Sequence, residues 1–272
     1  MDDITRRMIP LRADAPAGRS LDAFGMSECG PVRTSNEDAF AVDLDLGLFI
    51  VADGMGGHAA GEIASRLAVE TIVAFVARSS EESDPASVID VDDTLSPEAN
   101  RLRTALELAN RRIYRAGNSD ENYQGMGTTV VAVLFGPSSV AVAHAGDSRV
   151  YQQHDGRLVR LTKDDSLLEL LNAMHEPPDP QVHQAQRNVV TNVLGGEEDI
   201  IVHISEQPLA PGMRLMLCSD GVHGVLDDGR IGGILASHDP ARQHAERLVR
   251  EAIAAGGRDN ATALVVAYEE AE

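Results

Sequence analysis

Tryptophan is absent from this chain of 272 residues, and Phe, Trp and Tyr together make up only 3% of it. Binders of single-stranded nucleic acid stack bases on exposed rings, so that class is unsupported. Basic residues are also few: 23 Lys and Arg against 43 Asp and Glu leave a formal net charge of -20. Such a surface repels polyanions, which argues against a nucleic-acid partner and against an anionic membrane. Cysteine is limited to Cys29 and Cys218, far apart and without a second Cys or a His at metal-binding spacing. Neither a disulfide framework nor a zinc site is therefore expected, and both residues read as structural thiols. No apolar run is long enough to span a bilayer, and residues 1–18, with Arg6, Arg7 and Arg12 among acids and prolines, lack the apolar core of a signal peptide. A cytoplasmic location is the expectation that follows.

What the chain does have is a hydrophobic content of 43%, enough for a sizeable core. A single domain over residues 21–270 is expected, preceded by a loose arm of residues 1–20. Its organising stretch is Phe49 to Glu62, FIVADGMGGHAAGE. Phe49 to Ala52 read as a buried strand, Asp53 follows, Gly54, Gly56 and Gly57 make a turn, and a helix opens at Gly61 and Glu62. A carboxylate at the tip of a buried strand is costly to desolvate unless a cation meets it, and glycines let a backbone carbonyl approach the same point. A metal ion is the simplest such cation. Gly54 to Ala59 also satisfies the relaxed dinucleotide pattern G-x-G-x-x-G/A. Against that reading, Asp53 would aim negative charge at a pyrophosphate, and no second strand follows the helix to carry a ribose-binding acid.

On either side of this stretch, hydrophobic periods of two and 3.6 alternate. Strands are predicted at Asp22–Ser27, Ala39–Leu44 and Leu48–Ala52, then a helix over Glu62–Ala77 with Ile63, Leu67, Ile72 and Val76 on one stripe. After an acidic loop, a second helix starts at Ser96 and Pro97 and is expected to stop near Gly117. Strand patterns resume at Thr128–Phe135, Val140–Ala145, Arg149–Gln153 and Arg157–Leu161. Residues 162–187, polar and carrying Pro177, Pro178 and Pro180, read as a mobile flap. Strands at Val189–Val193, Ile200–Ile204 and Arg214–Cys218 follow, then a helix capped by Asp239 and Pro240 and a last strand at Ala263–Tyr268.

Four times an acid sits beside a turn residue at a strand end: Asp53 before Gly54, Asp147 after Gly146, Asp220 before Gly221 and Asp259 before Asn260. Any one of these is an ordinary turn residue. Together they supply carboxylates beside flexible backbone, the donor set of hard divalent cations such as Mg²⁺ and Mn²⁺. The absence of His and Cys from the set disfavours zinc.

Six motifs in order carry a resemblance: Arg33-Thr34-Ser35-Asn36-Glu37-Asp38, Asp53-Gly54-Met55-Gly56-Gly57-His58, Met126-Gly127-Thr128-Thr129, Gly146-Asp147-Ser148-Arg149, Ser219-Asp220-Gly221 and Arg258-Asp259-Asn260-Ala261-Thr262. Spread over residues 22–268, they are similar to those of the metal-dependent protein phosphatases of type 2C. The resemblance implies an α+β fold, a four-layer α-β-β-α sandwich of two antiparallel sheets flanked by helices, with a two-metal centre at one edge. By position it implies that Asp53 bridges two Mn²⁺ or Mg²⁺ ions, that Asp220 and Asp259 complete one of them, and that the Gly54 carbonyl serves the other. Asp147 would join a weaker third ion. Glu37 and Asp38 would act near the second metal through bound water, and Arg33 would clamp the substrate phosphoryl group. A guanidinium suits that task, since it offers parallel donors and stays charged at any working pH. The implied reaction is in-line attack on phosphorus by a water held between two metals, without a phosphoenzyme. The implied substrates are phosphoserine and phosphothreonine in proteins, set there by a cognate Ser/Thr kinase.

Three positions depart from the family pattern. Some members carry a candidate general acid two residues after the bridging Asp, where this chain has Met55, with His58 following. Asp165 stands where the family often has His, and Gly224 where members often have an Asp that helps to hold the third ion. Two rival readings stay open: a catalytically silent binding module of the same fold, and a hydrolase of small phosphate esters. A silent relative would be expected to lose metal acids, whereas Asp53, Asp220 and Asp259 are all present.

Overall fold

Side-chain alternation along one strand already dictates the layers. In β4 (Leu48–Met55), Leu48, Ile50 and Ala52 join one apolar cluster while Phe49 and Val51 join another, and all five are fully buried. A strand buried on both faces must lie between two layers, which is why its sequence reads as a continuous apolar run.

The computed structural model describes residues 14–15, 19–57, 60–81, 91–173 and 189–270. Its other strands are β1 (Asp14–Ala15), β2 (Arg19–Glu28), β3 (Asp38–Asp43), β5 (Gly127–Thr128), β6 (Val130–Phe135), β7 (Ser139–Ala145), β8 (Arg149–His154), β9 (Arg157–Arg160), β10 (His203–Pro208), β11 (Arg214–Cys218) and β12 (Ala261–Glu270). The helices are α1 (Ala60–Glu81), α2 (Pro97–Ser119), α3 (Leu167–Ala173), α4 (Asp220–His223), α5 (Asp228–Leu235) and α6 (Ala241–Ala254). One sheet runs β1-β2-β12-β11-β8-β9 and the other β10-β7-β6-β4-β3, with β5 paired to the end of β4.

Phe49, Val51, Val131, Val133, Leu215, Leu217, Leu264 and Val266 fill the space between the sheets. Outside one sheet, Leu48 and Ile50 pack with Ile72 and Val76 of α1 and Leu102 and Leu106 of α2. Outside the other, Met216, Cys218 and Val265 pack with Ile231 and Ile234 of α5 and Leu248 and Val249 of α6. Fully burying one such Leu, Ile or Phe stabilises by about 1.5–3 kcal/mol. The result is the expected α-β-β-α sandwich, with both sheets antiparallel.

Four local expectations change. Helix α2 passes Gly117 and ends at Ser119, where Asp120 begins the next turn by accepting from the Asn122 amide. Val189–Val193 is not a strand; only Val190 bridges, to Ser166. The strand expected at 200–204 lies at His203–Pro208, a mostly polar edge strand paired with β7. Helix α5 was not expected at all. Of the flap predicted at 162–187, residues 162–173 are described and contain α3, and the rest lies outside the described residues, as does most of the arm at 1–20. The dinucleotide reading fails, because Gly54 and Met55 are paired strand residues and the described strands form no parallel pair.

Candidate active site

The alternation that builds the inter-sheet core also builds the site. Two residues beyond Val51 on the same face of β4 comes Asp53, and Asp38 stands opposite it in register on β3. In the other sheet, two residues beyond Leu217 comes Ser219, and two residues before Leu264 comes Thr262. The inward faces therefore change from apolar to polar at one end of the gap between sheets.

Contacts across that end are short. Asp38 Oδ2 accepts from the Thr262 hydroxyl at 2.6 Å and from the Ser219 hydroxyl at 2.8 Å, joining the two sheets. Its Oδ1 is buried and has no hydrogen-bond partner. Burial, opposed by those hydroxyls and helped by Asp220 and Asp259, lifts the Asp38 carboxyl to about 7. Asp53 lies well above the usual carboxylate range, first through burial and then through repulsion from Asp38, Asp220 and Asp147. Asp220, at the first position of α4 after the N-cap Ser219, is raised by burial and by Asp259, against a hydrogen bond to Asp53.

Asp147 lies in the connection from β7 to β8, which crosses between sheets at the same end. Burial and the Asp220 charge lift it to about 7. Its backbone is held on both sides: His223 Nε2 meets the Asp147 carbonyl at 3.0 Å, and the Gly146 amide donates to Asp165 Oδ2 at 3.0 Å. Asp165 also meets His203 at 2.9 Å and accepts from Asn192 at 2.7 Å. The residue that replaces the family's usual His thus ties three segments together behind the acids rather than among them.

On the solvent side the site is edged by Arg33, whose Nη2 donates to Asp259 Oδ2 at 2.7 Å. Both side chains are roughly half exposed, at 50% and 41%. The Asp259 hydrogen bond, against some burial, raises the Arg33 pKa. Glu37 is part-buried and raised by burial, with Arg33 opposing. Its carbonyl accepts from the Gly54 amide at 3.1 Å and from the Ser65 hydroxyl at 2.6 Å. Gly54 is required here, because a Cβ on it would collide with the Gly61 carbonyl. His58 lies outside the described residues, and Met55 closes β4.

The donor chemistry fits hard divalent cations. Four buried or largely buried carboxylates repel one another, one of their oxygens is orphaned, and Arg33 on the rim is paired with a fifth acid, Asp259. Buried charge without a partner is expensive, and bound cations supply the missing compensation. Among the described residues no group of three or more His, Cys, Asp or Glu side chains is gathered closely enough to hold a metal ion by itself, so water and backbone oxygens would have to complete any ion's ligands. Cys218 is buried and its thiol is pushed up, which suits a structural thiol, and Cys29 donates its thiol to the Arg33 carbonyl.

A family model described as protein phosphatase 2C matches residues 32–261. The chain belongs to the protein phosphatase 2C family. It is 34% identical over 254 residues to the protein phosphatase PhpP of Streptococcus pneumoniae, covering 90% of this chain and 96% of PhpP. It is 33% identical over 240 residues to the serine/threonine protein phosphatase PstP of Mycobacterium tuberculosis, covering 88% of this chain but 43% of PstP. A crystal structure of PstP superposes with a TM-score of 0.78 at 31% identity, covering 92% of this chain and 99% of that one. The PstP catalytic domain has also been solved with two manganese ions, and there the TM-score is 0.76 at 30% identity, over 93% and 100% of the two chains. Among the described residues no helix is long and apolar enough to cross a membrane.

Sequence reasoning had named the acids and Arg33 but missed the groups that hold them. Ser219 and Thr262 were visible as members of motifs, and only their inward parity, two residues from Leu217 and Leu264, could have assigned them to Asp38. His223 and Asn260 carried no such signal beyond their neighbours.

Proposed function

We propose that this chain is a metal-dependent protein serine/threonine phosphatase. The observation that carries the reading is the set of buried, mutually repelling carboxylates Asp38, Asp53, Asp147 and Asp220, rimmed by the Arg33–Asp259 pair. Asp53, Asp220, Asp259 and the Gly54 carbonyl would hold two Mn²⁺ or Mg²⁺ ions, with Asp147 at a weaker third. When bound, the ions would lower the pKa of a water to give a nucleophile at neutral pH and offset charge on the phosphoryl oxygens.

The chain's own residues supply the rest. Arg33, free to leave Asp259 at the exposed rim, offers two parallel N–H donors to a phosphoryl group. Asp38, with one buried oxygen orphaned and the other fixed by two hydroxyls, is placed to orient water on its free oxygen. Glu37, just before β3 and with its carboxyl beside Gly61 at the start of α1, would do the same. The reaction forms a bond from water oxygen to phosphorus and breaks the bond to the seryl or threonyl oxygen, which takes a proton. Met55 cannot give that proton, since a thioether carries none. The acidic surface, with a net charge of -20, suits a protein substrate better than a polyanion. A phosphoprotein made by a cognate kinase in the cytoplasm is the partner in this reading.

Hydrolysis of a phosphothreonine peptide with Mn²⁺ and with chelator, beside p-nitrophenyl phosphate, tests the reading. Turnover of the peptide that chelator abolishes is expected. Turnover of the small ester alone would favour a small-ester hydrolase, and no turnover of either with saturating Mn²⁺ would favour the silent module.

A further inference from the structure

Asp259 and Arg33 form the exposed edge of the site, and one buried side chain next to them ties that edge down. Asn260 is 4% exposed. Its Nδ2 donates to the Cys29 carbonyl and to the Ser35 carbonyl, both at 3.0 Å, and its Oδ1 accepts from the Glu37 amide at 2.8 Å. These three backbone groups bracket Arg33 on both sides. The turn between them closes on itself where the Cys29 thiol donates to the Arg33 carbonyl at 3.3 Å. Asn260's own amide donates to Asp259 Oδ1 at 2.9 Å, leaving Oδ2 for Arg33.

The fit is chemical as well as steric. Only a side-chain amide offers two donors and an acceptor from one planar group, and each is used. The packing leaves no slack: a Cβ on Gly221, next to Asp220, would collide with the Asn260 carbonyl, and a Cβ on Gly30 would come within 2.5 Å of the Asp259 carbonyl. Glu37, held at its amide by Asn260, is held at its carbonyl by Gly54 of β4 and Ser65 of α1. Asn260 thus sets the separation between the start of β12, the Arg33 loop and the tip of β4.

We infer that Asn260 is a positioning residue for substrate phosphate, acting through the loop that presents Arg33. Resting on the phosphatase reading, this makes the Asn260 amide part of how the chain engages the phosphoryl group, although Asn260 itself touches no reacting atom. A long Arg side chain on an exposed loop loses rotamer freedom on binding, and a fixed backbone beneath it reduces that cost.

The wild-type protein with Mn²⁺ is assayed first on a phosphothreonine peptide; absence of turnover there would remove the phosphatase reading itself. With turnover established, Asn260→Ala, Arg33→Ala and the double variant are compared for KM and for inhibition by inorganic phosphate, with Mn²⁺ binding followed by calorimetry. Asn260→Ala is expected to raise both KM and the phosphate inhibition constant roughly tenfold, within the range for a charged hydrogen bond, with Mn²⁺ affinity nearly unchanged. In the Arg33→Ala background the same substitution is expected to change either quantity by less than about twofold, since coupled residues are not additive. If Asn260→Ala does not fold, Asn260→Ser, which keeps one donor, takes its place under the same expectations. Independent, multiplicative effects in the double variant, unchanged KM and phosphate inhibition, or a loss of Mn²⁺ binding that accounts for the loss of activity would each overturn the proposal.

Discussion

Phe49 and Asp53 share one strand and one face, four residues apart, yet they do opposite things. Phe49 is fully buried, packs edge-on against Phe135 with ring centroids 5.8 Å apart, and belongs to the apolar filling between the sheets. Asp53 occupies the next turn of the same pleat but one, where burial and neighbouring acids make its charge unwelcome. The centre of the gap stabilises the fold, and its end sacrifices stability for chemistry. A functional site here is the same alternating pattern carried past the point where apolar partners run out.

That contrast is broken most severely by exchanging what each end supplies. Asp53→Asn is expected to lower turnover by about 10²–10³, on the scale of losing a preorganised charge-stabilising group. Melting of the metal-free variant should stay level or rise, because one repelling charge is gone. A folded Asp53→Asn protein with near wild-type rate in Mn²⁺ would contradict the assignment. Phe49→Ala should do the reverse, costing about 3–5 kcal/mol through the cavity it leaves, while the rate per folded molecule stays close to wild type. Denaturant unfolding beside an active-fraction assay separates the two outcomes.

Arg33→Ala tests the rim, where exposure weakens what any contact contributes to the fold. Charge-assisted contacts contribute about 1.5–3 kcal/mol, so kcat/KM is expected to fall roughly ten- to a hundredfold with little change in melting. An unchanged kcat/KM would reduce Arg33 to a surface residue paired with Asp259.

Removing metal turns the buried end into a pH-dependent liability. Asp38 rises in the folded, metal-free protein from an ordinary 3.8 to about 7. Between those values the folded state holds a proton that the unfolded chain has released. The stabilisation from this group is therefore full below its unfolded pKa and is lost as pH rises through about 7, the folded value. Asp147, also lifted to about 7, acts in the same direction. With chelator present, melting of wild type should fall relative to Asp38→Asn between pH 5 and 7.5. Saturating Mn²⁺ should remove the difference in slope, since metal competes with protons for the same oxygens. Parallel pH profiles for the two proteins in chelator would show that Asp38 does not hold the proton.

Much of this was legible in order along the chain, and the failures share a physical cause. The run FIVA beside Asp53 announced a two-face-buried strand with an acid at its tip, and the acids at Gly and Asn turns announced which carboxylates gather at one end of the gap between sheets. Helix α5, DGRIGGIL, escaped notice because three glycines weaken its propensity; its signal was Asp227, whose side chain caps the Arg230 amide. β10, HISEQP, is recruited by pairing with β7 rather than by its own apolar pattern, whereas the more strand-like Val189–Val193 has just one bridging residue. Asn260 and Asp165 stood out as a motif member and a departure from the family pattern, but their roles could not be read, since they rest on long-range hydrogen bonds to groups that only folding brings near.

The smallest effect concerns Gly224, the position where family members often place an Asp for a third ion. Asp147 and Asp220 remain here, so a third site would be thinned by one anionic oxygen and weaker for a hard cation. His223 does not replace that oxygen, because its Nε2 is engaged by the Asp147 carbonyl and a neutral imidazole suits a hard cation poorly. Simply restoring the acid is confounded by packing: Gly224 caps α4, its amide donates to the Asp220 carbonyl at 2.7 Å, and a Cβ there would also come within 2.7 Å of that oxygen. Any side chain at 224 therefore shifts Asp220, one of the proposed ligands, and Gly224→Ala is the control that carries the same strain without the charge. Gly224→Asp is expected to reach half-maximal activity at a Mn²⁺ concentration a few-fold below that of Gly224→Ala, on the scale of one added exposed carboxylate worth about 0.2–1 kcal/mol. Calorimetric titration of Mn²⁺ into both variants checks the same difference without relying on turnover. Superimposable curves for Asp and Ala would mean that position 224 bears on α4 packing alone and that the acid end of the gap holds no third ion through it.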